Sequence, residues 1–283
     1  MPTPVGPNSA MIRIGVGSQL VQISGSSVLL TGATGGIGHA VARALRARGA
    51  TLILTGRRTD VLEPLAAELG ARALAVDLTD RAAVERLAAD AGDVDILVAN
   101  AALPASGPLE SFSVEQIDRA LDVNLRAPIV LAHALAPAMV ARGSGHLLFM
   151  SSLAGKAATP GTSLYNASKF GLRGFASALR ADLRDSGVGV SAVFPGFIRD
   201  AGMFADAEVK LPPGIGTRSP EHVAAAVVRA IERNRGEIDV APLPLRASTV
   251  FAGVAPELAA SVGRRLGSED ITRKMEAGQR EKR

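Results

Sequence analysis

Short apolar runs alternate with amphipathic segments of ten residues or more along this chain, and that rhythm restricts its folds more than any other feature. Apolar runs at 27–31, 51–55, 72–76, 95–99, 145–151, 188–194 and 237–240 read as strands. Segments 36–48, 60–69, 80–91, 114–142, 162–185 and 220–233 read as helices, one capped by Asp80 and one carrying Pro64 near its start. Strand, helix and strand in succession close as right-handed crossovers. The expected class is therefore α/β, a single-domain, doubly wound parallel sheet of about seven strands flanked by helices. Apolar residues make up 47% of the chain and aromatics only 3%, so Ala, Val and Leu must build the core, as suits strands covered on both faces.

Domain limits follow from composition. Residues 1–26 are rich in Gly, Ser and Pro and read as a flexible leader without the charged start and continuous apolar run of a signal peptide. Residues 27–245 form the domain, and 246–283 form a C-terminal extension, partly helical, with a basic tail. Segment 241–246, Ala-Pro-Leu-Pro-Leu-Arg, reads as extended chain. The longest uncharged stretch, 127–141, contains Pro128, His133 and Pro137 and is too short to span a bilayer, so no integral membrane span is expected. The absence of cysteine excludes disulfides and thiolate chemistry and suits a reducing cytoplasm, the expected location. A net charge of +4 with arginines spread over the helices reads as solvated faces, without a nucleic-acid partner. The four histidines, His39, His133, His146 and His222, lack metal-ligand spacing, and no metal is expected.

The first strand-to-helix junction reads Thr31-Gly-Ala-Thr-Gly-Gly-Ile-Gly38. Gly32 permits the tight turn, Gly36 a close approach of backbone to pyrophosphate, and Gly38 tight helix–strand packing, while the helix N-terminus offers N–H groups to phosphate. Thr34, Gly35 and Ile37 complete a dinucleotide turn, which makes the sheet a Rossmann fold. At the end of the second strand a carboxylate would favour NAD. Here Gly56 is followed by Arg57 and Arg58, two guanidiniums suited to a 2′-phosphate, so NADP(H) is expected over NAD. Asp77, with Leu78 beside it, offers an acceptor for an adenine amino group, and Asn100 and Ala101 fall along the adenosine ribose side.

Tyr165 is the only tyrosine in 283 residues, and Lys169 follows four positions later on the same helical face. Ser152 closes the apolar run before it. A phenol ordinarily titrates near pH ~10. A fixed ammonium at roughly 5 Å, with an effective dielectric of about 20, favours the phenolate by ~3 kcal/mol, about two pKa units. The expectation is a phenol with a lowered pKa, suited to general acid catalysis. Pro128 has no N–H for the carbonyl four residues back, that of Asn124, which leaves either a water site or an ordinary kink.

Together, Thr31-Gly32, Gly36-Ile-Gly38, Asn100-Ala-Ala, Asn124, Ser152, Tyr165-Asn-Ala-Ser-Lys169 and Pro195-Gly196 resemble the short-chain dehydrogenase/reductase family over roughly 27–240. Length and the Asn124–Ser152–Tyr165–Lys169 set favour its short, single-domain branch. The resemblance implies hydride transfer between NADPH and a ketone or aldehyde, with the alcohol formed as Tyr165 donates a proton, or the reverse. Ser152 would position the oxygen, Lys169 would lower the Tyr165 pKa and hold the nicotinamide ribose, and Asn124 would support a water chain. Pro195, Gly196 and Ile198 belong to the cofactor set, although Phe197-Ile-Arg-Asp200 stands where many members carry a threonine. Leu103, Leu153, Leu164, Phe197, Met203 and Phe204 are expected to line an apolar pocket for a lipophilic carbonyl or alcohol, with segment 197–218 as a lid. A homodimer or homotetramer through the helices carrying Asn124 and Tyr165 is also implied. Two other functions stay open: a nucleotide-binding sensor or scaffold without turnover, and an epimerase or dehydratase of the extended branch.

Overall fold

The structure, a computed structural model, describes residues 21–206, 216–265, 274 and 276–278. Seven strands form one parallel sheet: β1 (Ser27–Thr31), β2 (Thr51–Gly56), β3 (Arg72–Ala75), β4 (Ile96–Ala99), β5 (Gly145–Met150), β6 (Val188–Pro195) and β7 (Glu237–Val240). Their order is β3-β2-β1-β4-β5-β6-β7. The chain winds outward from β1 through β2 and β3, then returns to place β4 on the other side of β1. That reversal opens a crevice at the carboxyl ends of β1 and β4.

The helices are α1 (Gly36–Ala47), α2 (Thr59–Leu69), α3 (Arg81–Ala91), α4 (Val114–Leu121), α5 (Ala127–Ala141), α6 (Ser163–Asp182), α7 (Gly202–Asp206), α8 (Pro220–Glu232), α9 (Leu243–Val254) and α10 (Pro256–Arg265). The pleat sorts the strand residues between two cores. Val28, Leu30, Leu148 and Met150 pack with Val41 and Leu45 of α1, Leu62 of α2 and Val227 of α8. Their neighbours Leu29, Leu147 and Phe149 face the opposite way, towards Leu87 of α3, Leu131 of α5 and Leu172 of α6. Both faces are covered, which explains why the strands carry continuous apolar runs rather than alternating ones. The Asp80 cap is formed, its carboxylate accepting from the Ala83 N–H at 3.1 Å.

Several boundaries differ from the sequence reading. The expected leader lies outside the described residues up to 20, but Ile23 is buried in the first core, so the packed unit begins before β1. Segment 241–246 is not extended: α9 starts at Leu243 and crosses position 246. Pro244 lies in the first turn of that helix, where a backbone N–H has no intrahelical partner to lose. Pro256 then opens α10. Helices α4 and α5 join through a π turn, Asp122–Arg126, into one helical run, Val114–Ala141, of 28 residues. That run is long and apolar enough to cross a membrane by length and composition, but Ala127, Leu131, Ala132, Leu135 and Met139 are committed to the core.

One buried polar pair lies within the sheet. His146 on β5 faces Ser191 on β6, with Nε2 and Oγ 2.9 Å apart. Burial first, then the nearby Arg180, pushes the imidazole from 6.5 down to about 3. The native state therefore holds His146 neutral, while the unfolded chain takes up a proton below pH 6.5. Above that pH the residue adds no pH dependence. As pH falls from 6.5 towards 3, its contribution to stability is lost by about 1.4 kcal/mol per pH unit. Chemical denaturation at a series of pH values should show a steeper acid loss in the wild type than in His146→Gln; equal slopes would contradict the assignment.

Candidate active site

At the crevice, the turn after β1 is built for close approach. Gly32 has φ +66°, and a Cβ there would fall 2.7 Å from the Cα of Ala101. A Cβ on Gly38 would come within 2.2 Å of the Gly32 carbonyl oxygen. Gly35, the N-cap of α1, brings no side chain to the first N–H groups, and the first turn carries no acidic residue. The unsatisfied N–H groups and positive dipole end of α1 thus face the cleft, and these residues fit a dinucleotide pyrophosphate. Beside Gly36 stands Ala201 of the segment after β6, whose methyl would lie 2.5 Å from a Cβ at Gly36, so packing also requires glycine there.

Asn100 acts as a latch. Its Nδ2 donates to the carbonyls of Thr31 (3.1 Å) and Gly32 (3.2 Å), and the Thr31 hydroxyl accepts from the N–H groups of Asn100 and Ala101. The amide expected beside the adenosine ribose therefore ties β4 to the phosphate turn. Thr31, buried and given no role of its own in the sequence reading, is its counterpart. At the outer end, Arg58 donates to the Thr34 carbonyl and Arg57 lies 3.8 Å from Asp77. Burial pushes the Asp77 carboxyl up, but hydrogen bonds from the Thr79 N–H and hydroxyl, with Arg57 beyond, hold it below the usual carboxylate range.

The catalytic candidates converge at the end of β5. Lys169, only 1% exposed, donates from Nζ to the Met150 carbonyl at 3.0 Å and lies 5.7 Å from the Tyr165 ring centroid. Ser152 stands near the Tyr165 phenol and favours its ionised form. The Ser152 hydroxyl donates its one proton to the Pro195 carbonyl (3.3 Å) and accepts from the Ala154 N–H (3.2 Å). The expected lowering of the phenol is not seen. Burial pushes Tyr165 up to about 12, opposed only by Ser152, and burial pushes Lys169 down to about 8. Desolvation outweighs the attraction between them, because the same apolar walls surround both groups.

Asn124 lies behind the cleft, fully buried in the π turn, rather than on its surface. Its Oδ1 accepts from the Leu103 N–H (2.6 Å) and its Nδ2 donates to the Leu103 carbonyl (2.9 Å). One side chain thereby satisfies both polar groups of a buried backbone residue. The π turn precedes Pro128, which has no N–H to offer the Asn124 carbonyl. Gly155 and Asn166 were missed. A Cβ on Gly155 would fall 2.6 Å from the Lys169 carbonyl, so only glycine lets the turn after Ser152 pack on α6. Asn166 is buried beside Tyr165 and donates to the carbonyls of Ala154 and Ala157, pinning that turn.

The cleft holds about 1250 Å³ and is lined by every expected cofactor residue, by Ser152, and by Leu103, Leu153, Phe197, Met203 and Phe204. Leu164 is the exception. Being adjacent to Tyr165 on α6, it points elsewhere and packs with Ala105 and Ala120. The base of segment 197–218 is closed by Arg199 N–H to the Arg218 carbonyl (2.9 Å) and Arg218 N–H to the Phe197 carbonyl (3.0 Å). Leu211 and the Pro212-Pro213 pair lie outside the described residues. Asp200 adopts φ +67° and its carboxylate pairs with Arg199 at 3.2 Å.

Lowering Lys169 from 10.5 to about 8 means that its buried ammonium costs the cofactor-free protein on the order of 3 kcal/mol at neutral pH. Lys169→Met, which removes the charge and keeps much of the volume, should therefore raise the unfolding free energy at pH 7 by about 2–3 kcal/mol. Urea denaturation measures it, and a less stable variant would contradict the burial argument. Asn124→Ala should act in the opposite direction. Leaving the Leu103 N–H and carbonyl unpaired is expected to cost about 2–4 kcal/mol in the same measurement.

Comparison with known proteins agrees with this geometry. The chain is 32% identical over 238 residues to the ketoacyl reductase HetN of Nostoc sp., covering 81% of this chain and 83% of that one. It is 30% identical over 260 residues to dehydrogenase/reductase SDR family protein 7-like of Drosophila melanogaster, covering 84% and 79%. A short-chain dehydrogenase from Sphingobium yanoikuyae, solved in complex with NADPH, superposes with a TM-score of 0.71 at 29% identity, over 83% of this chain and 95% of that one. The profile of the short chain dehydrogenase family matches residues 26–211, and the chain, with its seven-stranded parallel sheet, belongs to that family of oxidoreductases.

Proposed function

We propose that this enzyme interconverts a ketone or aldehyde and the corresponding alcohol with NADP(H), and that Tyr165 is its general acid and base. The observation that carries the proposal is the convergence of Ser152, Tyr165 and Lys169 at one end of a cleft whose other end is a phosphate turn. Bound there, a nicotinamide dinucleotide supplies or accepts a hydride. The chain does the rest. The Ser152 hydroxyl, held by the Ala154 N–H, turns its one proton from the Pro195 carbonyl to a carbonyl oxygen and orients it. The Tyr165 phenol, protonated at neutral pH, delivers the proton that completes the alcohol and takes it back in the reverse reaction. Lys169 places an ammonium beside the phenol, stabilising the negative charge left on it.

Preference for the 2′-phosphorylated dinucleotide is supported by Arg57 and Arg58 at the end of β2, where no carboxylate stands to repel a phosphate. The apolar residues Leu103, Leu153, Phe197, Met203 and Phe204 support a lipophilic substrate. Exposed Val140 on α5 and Phe170 on α6 support pairing of two copies through the helices next to the site.

Absorbance at 340 nm with a panel of ketones tests the reading. Tyr165→Phe should lose about 10²–10⁴-fold in turnover while still binding NADPH. Replacing Arg57 and Arg58 together by Ala should raise the KM for NADPH about 10–100-fold and leave that for NADH nearly unchanged. Full turnover in Tyr165→Phe would overturn the assignment of the acid. Equal use of the two dinucleotides by the wild type would overturn the cofactor preference.

A further inference from the structure

Part of the cleft wall comes from α9 and α10. These helices contribute Leu245, Thr249, Phe251, Ala252, Ala259 and Val262 to the lining, and no charged side chain. The start of α9 is fixed against the reacting end. A Cβ on Gly196 would meet Leu245 at 3.0 Å and Leu153 at 3.2 Å, so both leucines crowd the turn that follows Pro195. Further along, Phe251 and Val262 line the cleft yet remain 44% and 42% exposed. The rings of Phe197 and Phe204 lie 5.0 Å apart and line the same cleft. The charged lining residues, Arg57, Arg58, Asp77, Arg119, Lys169 and Asp200, all lie outside this C-terminal wall.

We propose that the trough between α9–α10 and the Phe197–Phe204 pair binds an unbranched alkyl tail of the substrate, whose carbonyl oxygen is held by Ser152 and Tyr165. The proposal rests on the carbonyl-oxidoreductase reading of the same site. An uncharged wall has nothing to offer an ionised tail, and each methylene withdrawn from water onto it adds to binding. Ala252 and Ala259 line the cleft with small side chains beside bulky Phe251 and Val262, and the room they leave is where the proposed chain would run. A tail lying there would cover the exposed flanks of Phe251 and Val262, apolar surface that otherwise faces water.

A series of 2-alkanones from 2-butanone to 2-decanone, reduced with saturating NADPH, tests this directly. The expected result is a kcat/KM that climbs by up to about fourfold per added methylene. Ala252→Phe, which fills that room, and Phe251→Ala, which removes one wall, should each flatten the climb, with NADPH affinity and far-UV circular dichroism as folding controls. Independently of turnover, 2-decanol should slow hydrogen exchange over 243–265 in the enzyme saturated with NADP, and 2-butanol should not. A flat series in an active wild-type enzyme, without protection of 243–265, would overturn the tail site and leave the reductase standing. Failure to reduce any carbonyl would overturn the reading beneath it as well.

Discussion

The burial of one ammonium governs this site. Lys169 is almost without surface, and the Met150 carbonyl is its only hydrogen-bond acceptor among the described residues. A charge held that way is costly, and much of the local architecture keeps the chain from relieving it. Gly155 and the Ser151 hydroxyl both contact the Lys169 carbonyl, which clamps α6 against the end of β5. Asn166 pins the turn that closes over the same helix. Tyr165 shares the dry surroundings and, as a neutral phenol, is favoured by them. The free enzyme thus stores an unfavourable charge next to a phenol that keeps its proton. A polar ligand entering the cleft finds both groups unsolvated and oriented.

The sheet makes that arrangement possible. Because β1 lies between β2 and β4, the phosphate turn, the Asn100 latch and the end of β5 all open on one side of the molecule. The latch removes freedom between β1 and β4 at the place where the crevice must keep its width. The Asn124–Leu103 pair does the same on the side of the long helical run, where the π turn would otherwise leave buried backbone unpaired. Helix α9 belongs to this framework too, since Leu245 packs into the core before the helix leaves it to wall the cleft.

The order and type of strands and helices were legible because strands buried on both faces must be apolar throughout, and the intervening helices need one apolar stripe. The glycine turn, Arg57–Arg58 and the Ser152–Tyr165–Lys169 set were legible because their chemistry depends on residue type and short spacing. What stayed hidden depends on distance or depth. The partner of Asn124 is Leu103, in a separate loop, and no local pattern predicts that pairing. The sign of the Tyr165 shift depends on how many protein atoms surround the phenol, which a Coulomb estimate from helical spacing leaves out. Segment 241–246 misled because proline reads as a helix breaker, although in the first turn it is well placed. The orientation of Leu164 was available: residues adjacent on a helix face different ways, and Tyr165 already faced the cleft.

The central claim is that desolvation, rather than the neighbouring ammonium, sets the state of the Tyr165 phenol. With one tyrosine and no tryptophan, the chain allows that phenol to be titrated alone by its phenolate absorbance near 295 nm. Rapid pH jumps, with circular dichroism confirming that the cofactor-free chain is still folded, would give the native value before alkaline unfolding. The account predicts ionisation near 12, well above the ordinary phenol value of 10. A folded protein whose phenol ionises at or below 10 would contradict it and restore Lys169 as the dominant influence.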